Sequence, residues 1–151
     1  MKKKFNVRKE GISKLKGQAK YIDDYQLENC LHGATVRSPI SRGILKGIHF
    51  SPEINWEEFT VVTAQDIPGK NYISMIEMDW PVLVDKNINH KGEAIALIAH
   101  PSKLEVKKAL KYITFDIDPL PAIYTIQESL QKKEIVWREN NIFKEYTIEK
   151  G

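Results

Sequence analysis

The residues of this chain that could perform chemistry are few and widely spaced. Its four histidines, His32, His49, His90 and His100, are separated by 17, 41 and 10 residues. A zinc site built on a helical His-x-x-x-His pair or on paired cysteines and histidines requires much closer spacing. Surface or core packing is therefore the predicted role of each histidine, although the fold could still bring two of them together.

Other reactive side chains also lack partners at useful spacing. The single cysteine, Cys30, cannot form a disulfide within the chain, and an iron–sulfur cluster would need about four thiolates. Its position in an apolar run predicts a small, buried core residue. The carboxylates of Asp23 and Asp24 are adjacent, so we expect them in a turn and facing water. With no glycine-rich phosphate loop and no Gly-x-Ser-x-Gly motif, the sequence predicts no catalytic, cofactor-binding or metal-binding residue.

Length and composition are typical of one soluble globular domain. The chain has 151 residues, of which 42% are hydrophobic and 28% charged. No apolar run approaches the ~20 residues that span a bilayer, and no signal-peptide core follows the basic start. These features predict a cytoplasmic protein without a membrane contact.

The net charge of +3 is distributed unevenly. Residues 1–20 contain eight basic residues and one acidic residue. Such an arm could bind nucleic acid or an acidic protein surface, but a solvated chain end is the simpler interpretation. The aromatic residues near this charge are Phe5 and Tyr21, which do not make a base-stacking platform, so we expect no nucleic-acid partner.

The first half of the chain predicts short strands. A strand is expected at residues 18–22 and another at 30–36, ending before Pro39, which cannot donate to a sheet. Gly43 supplies a permissive backbone before a strand at residues 44–48. Arg37 is expected to hold the end of its strand, with a salt bridge to another domain or subunit as the alternative.

The middle of the chain is less regular. Residues 51–53 resemble a helix start, residues 59–62 a strand, and residues 63–66 a single helical turn. Met75, Met78 and Trp80 lie in an irregular stretch, where core packing is favoured over an apolar contact surface.

The clearest local unit follows. Residues 93–99 predict a fully buried strand, Ser102 and Glu105 form a capping box for a helix to about residue 111, and residues 112–117 alternate as a half-buried strand. If the two strands are parallel neighbours, they form one right-handed β-α-β crossover. A second capping box, Thr125 with Glu128, opens a short helix to about residue 130.

These elements predict an α+β fold with a mixed sheet, a few short helices and one β-α-β crossover. We expect a basic, poorly ordered arm at residues 1–10, a domain at 11–130 and a polar linker at 131–151. A strand is expected to begin at residues 143–148. If the chain is a fragment, Trp137 is expected to pack on something outside it.

Five segments carry a resemblance to a known family. In this order, they resemble the N-terminal α/β-hammerhead domain of the molybdenum-binding subunit of the xanthine dehydrogenase/aldehyde oxidase family. The segments are residues 14–24, 31–43, 61–69, 92–99 and 118–123. The resemblance extends from about residue 8 to about residue 130, which is most of the chain.

The resemblance implies an α/β-hammerhead fold and a role within a larger enzyme. In this family the molybdopterin contacts and the glutamate base lie beyond the domain, so no residue here is expected to be catalytic or to bind a cofactor or metal. The linker would lead to a C-terminal molybdopterin-binding domain of the same subunit, and this chain would be a fragment. Iron–sulfur and FAD cofactors would lie in partner subunits, and the full-length protein would be an oligomer.

The predicted function follows from that resemblance. The parent enzyme would hydroxylate a purine, another N-heterocycle or an aldehyde with oxygen from water, while the fragment would be inactive. Two alternatives are a stand-alone interaction module with the same fold and no redox role, and a nucleic-acid binder that uses the basic arm. The length of the downstream reading frame discriminates the first alternative, and the salt dependence of duplex binding discriminates the second.

Overall fold

A computed structural model describes residues 8–25 and 27–151. The described residues fall into two compact units, divided between Cys30 and Leu31. The first unit contains helix α1 (Gly11–Leu15) and a 3-10 helix at Ile22–Asp24. The strand predicted at residues 18–22 is wrong, while the turn predicted at Asp23 and Asp24 is confirmed, because the Tyr21 amide donates to Asp24 Oδ2 at 2.8 Å. Most of the predicted basic arm, residues 1–7, lies outside the described residues.

The second unit is built from short strands and two helices. The helices are α2 (Lys103–Ala109) and α3 (Ile126–Leu130). The strands are β1 (His32–Arg37), β2 (Gly43–Phe50), β3 (Thr60–Val62), β4 (Tyr72–Ile73), β5 (Trp80–Pro81), β6 (Asn87–Ile88), β7 (Ala94–His100) and β8 (Ile113–Pro119). No helix among the described residues is long and apolar enough to cross a bilayer.

Two three-stranded sheets form the body of this unit. In the first, β7 lies between β1 and β3, and its residue Ile98 is opposite Ala34 on one side and Val61 on the other. In the second, β2 lies between β6 and β8, with a bulge between Leu45 and Gly47. Strands β4 and β5 pair separately as a small hairpin.

The predicted α+β fold of short strands with a few short helices is confirmed, with one correction to the strand pairing. The predicted strand-helix-strand unit is present as β7, α2 and β8. However, β7 and β8 lie in different sheets, and every strand pair of the described residues is antiparallel. The predicted crossover required β7 and β8 to be parallel neighbours, and they are not. Helix α2 instead leads the chain to β8, which pairs with β2.

The core lies on both faces of β7. On one face, Ala96 and Ile98 pack with Val106 and Ala109 of α2. On the other face, Ile95 packs with Val84 and Ile88. This double coverage explains why the strand lacks apolar–polar alternation. Further along the second face, the side chain of Leu97 is 41% exposed, so the strand is not buried throughout as predicted.

Three further expectations from the sequence are corrected. Cys30 is exposed, because it follows Asn29, whose positive φ places it in a turn, and β1 begins two residues later. The residues from Ser51 form a turn rather than a helix, and a 3-10 helix follows at Trp56–Glu58. Residues 143–148 contain no strand.

Three predicted helix starts are confirmed by their hydrogen bonds. The Ser102 hydroxyl accepts from the Glu105 amide at 3.4 Å, and the Thr125 hydroxyl accepts from the Glu128 amide at 3.2 Å. Asp66 accepts from the Thr63 amide at 2.7 Å at the 3-10 turn Ala64–Asp66, and this bond lowers the pKa of Asp66. Each cap satisfies a backbone amide that the helix itself leaves unpaired.

Acid should weaken the start of α3. The Lys133 ammonium and then the Tyr124 amide donate to the Glu128 carboxylate, which lowers its pKa from 4.5 to about 2. This stabilisation is therefore present above pH 4.5 and is lost as the pH falls towards 2. An NMR titration of Glu128 should show the lowered pKa. Lys133→Ala should raise it, and the neighbouring Lys132→Ala should not.

Candidate functional site

The fold brings two histidines together without making a metal site. His32 and His100 are cross-strand partners in β1 and β7. The ring of His100 stacks on Phe59 at 4.6 Å, and its Nδ1 accepts from the Ser102 amide at 2.9 Å. The role of His100 is thus to orient the start of α2. Among the described residues, no three histidine, cysteine or acidic side chains are grouped to hold a metal ion.

The buried polar side chains of the described residues are engaged within the chain. Within residues 8–25 and 27–151, every buried side-chain nitrogen or oxygen has a hydrogen-bond partner. These groups therefore stabilise the domain itself.

The polar side chains at the turn after β1 form hydrogen bonds within the chain and are not arranged for catalysis. Arg37 donates to the Gly92 carbonyl at 2.8 Å, which confirms its predicted role at the strand end. The buried Ser38 hydroxyl donates to the Ile40 carbonyl at 2.8 Å, so it is not poised as a nucleophile. The buried Glu93 carboxylate accepts from the Asn89 amide at 2.6 Å.

One exposed feature of the second unit is the β4–β5 hairpin. Asn71 holds the base of this hairpin. Its Nδ2 donates to the Leu83 carbonyl at 2.7 Å, and its Oδ1 accepts from the amides of Val82 and Leu83 at 3.1 and 3.0 Å. The Asn71 side chain therefore joins both ends of the hairpin. It supplies hydrogen bonds that the backbone of a two-residue strand pair does not make.

A groove of about 480 Å³ lies along this hairpin. We call it the hairpin groove and define it by its apolar lining residues, Ile73, Met75, Ile76, Trp80 and Phe143. These side chains are all exposed. The core packing that the sequence favoured for this stretch is therefore wrong for Met75, Met78 and Trp80, whose side chains are exposed. The alternative, an apolar contact surface, stays a prediction.

The segment after α3 packs against the hairpin. Trp137 Nε1 donates to Asp79 Oδ2 at 2.8 Å, and Arg138 forms an ion pair with Glu77. The rings of Trp137 and Phe143 lie 5.6 Å apart. Trp137, expected to pack on something outside the chain, thus has partners within it.

Two polar residues shape this segment. Asn141, at a positive φ of 64°, accepts from the amides of Val136 and Trp137 and donates to the Glu134 carbonyl at 2.7 Å. Arg42 donates to the carbonyls of Pro121 and Ile135 at 2.7 and 3.0 Å and pairs with the Glu134 carboxylate at 3.1 Å. Arg42 is largely buried, so this contact fixes the chain after β8 onto the domain.

Replacing Arg42 should release the C-terminal segment. Arg42→Ala leaves two carbonyls and a carboxylate without their donor, and we expect a loss of about 1–2 kcal/mol in unfolding free energy. Proteolysis should become faster at residues 131–143. Lys46→Ala removes an exposed ion pair with Asp118 and is the matched control, with little expected effect. Equal proteolysis of both variants would contradict the proposed anchoring.

Sequence reasoning missed Asn71, Arg42 and Asn141. Asparagine is enriched at positive φ, so a turn at Asn141 was in principle detectable. Arg42 and Asn71 act on partners far away in sequence, and nothing in the local pattern signals such contacts.

Comparisons with known proteins place the domain in context. Residues 16–121 match the family described as aldehyde oxidase and xanthine dehydrogenase, a/b hammerhead domain. The chain is 30% identical over 131 residues to the nicotinate dehydrogenase large molybdopterin subunit of Eubacterium barkeri. It is 24% identical over 164 residues to the xanthine dehydrogenase molybdenum-binding subunit of Escherichia coli O157:H7.

These relatives are much longer than the chain. The alignments cover 85% of this chain and 31% of the nicotinate dehydrogenase subunit, and 96% of this chain and 21% of the xanthine dehydrogenase subunit. Among solved structures, the aldehyde oxidoreductase from Desulfovibrio gigas matches with a TM-score of 0.76 and 26% identity. That match covers 85% of this chain and 16% of the other.

Proposed function

Because the chain belongs to the aldehyde oxidase and xanthine dehydrogenase hammerhead-domain family, we propose that it is the N-terminal structural domain of a molybdenum hydroxylase subunit. The observation that carries this proposal is the match of residues 16–121 to the family. The chain covers under a third of the length of two relatives that are named as molybdopterin and molybdenum-binding subunits. This partial coverage supports a position within a longer polypeptide.

The proposed reaction replaces a C–H bond of a purine, another N-heterocycle or an aldehyde with C–OH. Water would supply the oxygen, two protons would be released, and molybdenum bound elsewhere in the subunit would supply the acceptor for the two electrons. Iron–sulfur and FAD groups in partner subunits would carry the electrons onward. We further propose a cytoplasmic, oligomeric enzyme, in keeping with relatives named as subunits.

The proposed role of this chain in that reaction is structural. Its residues would brace the molybdopterin-binding portion and form part of the wall of the substrate channel. Two observations support a structural role: the buried polar side-chain atoms of the described residues are all paired, and the exposed hairpin groove is lined mainly by apolar side chains. An apolar surface suits protein packing better than proton or electron transfer.

The test compares residues 1–151 with the full-length subunit. Both are purified and assayed for molybdenum by elemental analysis, for pterin by fluorescence, and for oxidation of hypoxanthine, nicotinate and an aldehyde. We expect the full-length subunit to contain molybdenum and to oxidise at least one substrate. The shorter chain should unfold cooperatively but show neither property. Activity or bound molybdenum in residues 1–151, or neither in the full-length subunit, would overturn the proposal.

A second candidate is a stand-alone interaction module with the same fold. The exposed hairpin groove favours it, because a separate partner protein could equally cover apolar side chains. The natural reading frame distinguishes the two functions. A frame that continues for several hundred residues beyond Gly151 supports the hydroxylase, and one that stops there supports the module.

A further inference from the structure

Several strongly exposed apolar side chains lie together in the hairpin groove, whereas single exposed apolar side chains are normal on protein surfaces. Met75 is 93% exposed, Ile76 77% and Trp80 58%, and all three line one groove. Contiguous patches of this kind mark interaction sites, and methionine and tryptophan are enriched in the buried centres of protein interfaces.

The two acidic side chains beside the groove are engaged within the chain. Glu77 pairs with Arg138, and Asp79 accepts from Trp137, so both acidic groups are engaged by the chain's own C-terminal segment. A basic peptide or another cationic ligand would therefore have to compete with these internal contacts. An uncharged protein surface, buried permanently, suits the groove better.

The groove is also held in shape. Asn71 fixes the base of the hairpin with three hydrogen bonds, and Trp137 and Phe143 support it from the C-terminal segment. A preorganised surface loses little conformational entropy when a partner covers it. These contacts argue for a docking site rather than a loosely collapsed loop.

The path of the chain indicates which partner is closest. Phe143 lines the groove, and Tyr146 and Ile148, which follow it closely in the sequence, are strongly exposed. Any polypeptide that continues from this segment is tethered within a few residues of the groove. Such a tether supplies an effective concentration of roughly millimolar, an advantage that a separate partner lacks.

We propose that the hairpin groove is the docking surface for the molybdopterin-binding portion of the same polypeptide, in the segment that follows residue 151. This inference rests on the proposed function, since it requires the longer subunit. It assigns the groove a specific occupant and makes Met75 and Trp80 central contacts of the interface.

Photo-crosslinking in the full-length subunit tests the proposal. Benzoylphenylalanine replaces Met75 in one sample, Trp80 in a second and Lys107, an exposed residue of α2, in a control. After irradiation, the crosslinked peptides are identified by mass spectrometry. We expect positions 75 and 80 to crosslink to peptides beyond residue 151 of the same polypeptide, and position 107 to give far less of this product.

Other outcomes overturn the assignment. Crosslinks to a second copy, to residues 1–151 alone or to nothing would each show that the groove does not receive this segment, as would a reading frame that ends at Gly151. Molybdenum content measured on the same samples separates the two proposals. A molybdenum-containing subunit without these crosslinks overturns the docking surface alone, whereas a subunit without molybdenum contradicts the proposed function whatever the crosslinks show.

Discussion

Ile98→Ala should lower the free energy of unfolding by about 2–5 kcal/mol, the usual range for truncating a fully buried isoleucine. Ile98 is 0% exposed in the central strand of the first sheet, between Ala34 of β1 and Val61 of β3. It belongs to the cluster that contains Val106 and Ala109 of α2. Truncation therefore leaves a cavity between the sheet and its helix that rigid neighbours cannot fill. Urea denaturation monitored by circular dichroism measures the loss.

Leu97→Ala is the matched control for this prediction. The two residues are adjacent in β7 and lose side chains of the same size, but Leu97 faces the opposite side and is 41% exposed. A much smaller loss, below about 1.5 kcal/mol, is expected because less apolar surface leaves the core. Equal losses at the two positions would contradict the orientation of β7.

Gly43→Ala should cost about 1–3 kcal/mol, as overpacking of a tight interior does. A Cβ at this position would lie 2.7 Å from Ile40 Cδ1, and 2.8 Å from both the Asp118 carbonyl oxygen and Ile117 Cγ2. The carbonyl belongs to the backbone of β8, so relief requires the pairing of β2 with β8 to open. Thermal unfolding should show a lower melting temperature, with faster amide exchange in β8.

Gly69→Ala provides the comparison, because no atom lies within 4 Å of its added Cβ and its φ is not in the left-handed region. Here the substitution should be neutral or stabilise by up to about 1 kcal/mol, since it restricts the unfolded chain. Equal melting temperatures of the Gly43 and Gly69 variants would show that β2 and β8 can separate without cost.

The sequence correctly indicated that position 43 needs glycine, but the predicted reason was incomplete. The sequence predicted a permissive backbone at the entry to a strand. In the structure, Gly43 is not among the residues with positive φ, and it is needed because β8 approaches too closely for a side chain. Conformational freedom is a local property, whereas close approach depends on a partner strand more than 70 residues away.

Local signals determined much of the fold from the sequence alone. Ser102, Thr125 and Thr63 were identifiable as helix starts because their partners lie three residues along the chain, within reach of one hydrogen bond. The stop before Pro39 was equally visible, since proline has no amide to donate. The order of strand, helix and strand from β7 to β8 follows from such signals, and the family resemblance extended them to the α/β-hammerhead fold.

The tertiary structure alone decided how those elements pair and which surfaces remain open. It placed β7 and β8 in different sheets, exposed Cys30 and Met75, and brought Arg42 to Glu134 across 92 residues of sequence. The physical reason is that composition and spacing determine whether a side chain is apolar or charged, but burial depends on what the rest of the chain brings against it. The hairpin groove is apolar in the sequence, but only the structure shows that its apolar side chains remain exposed among the described residues.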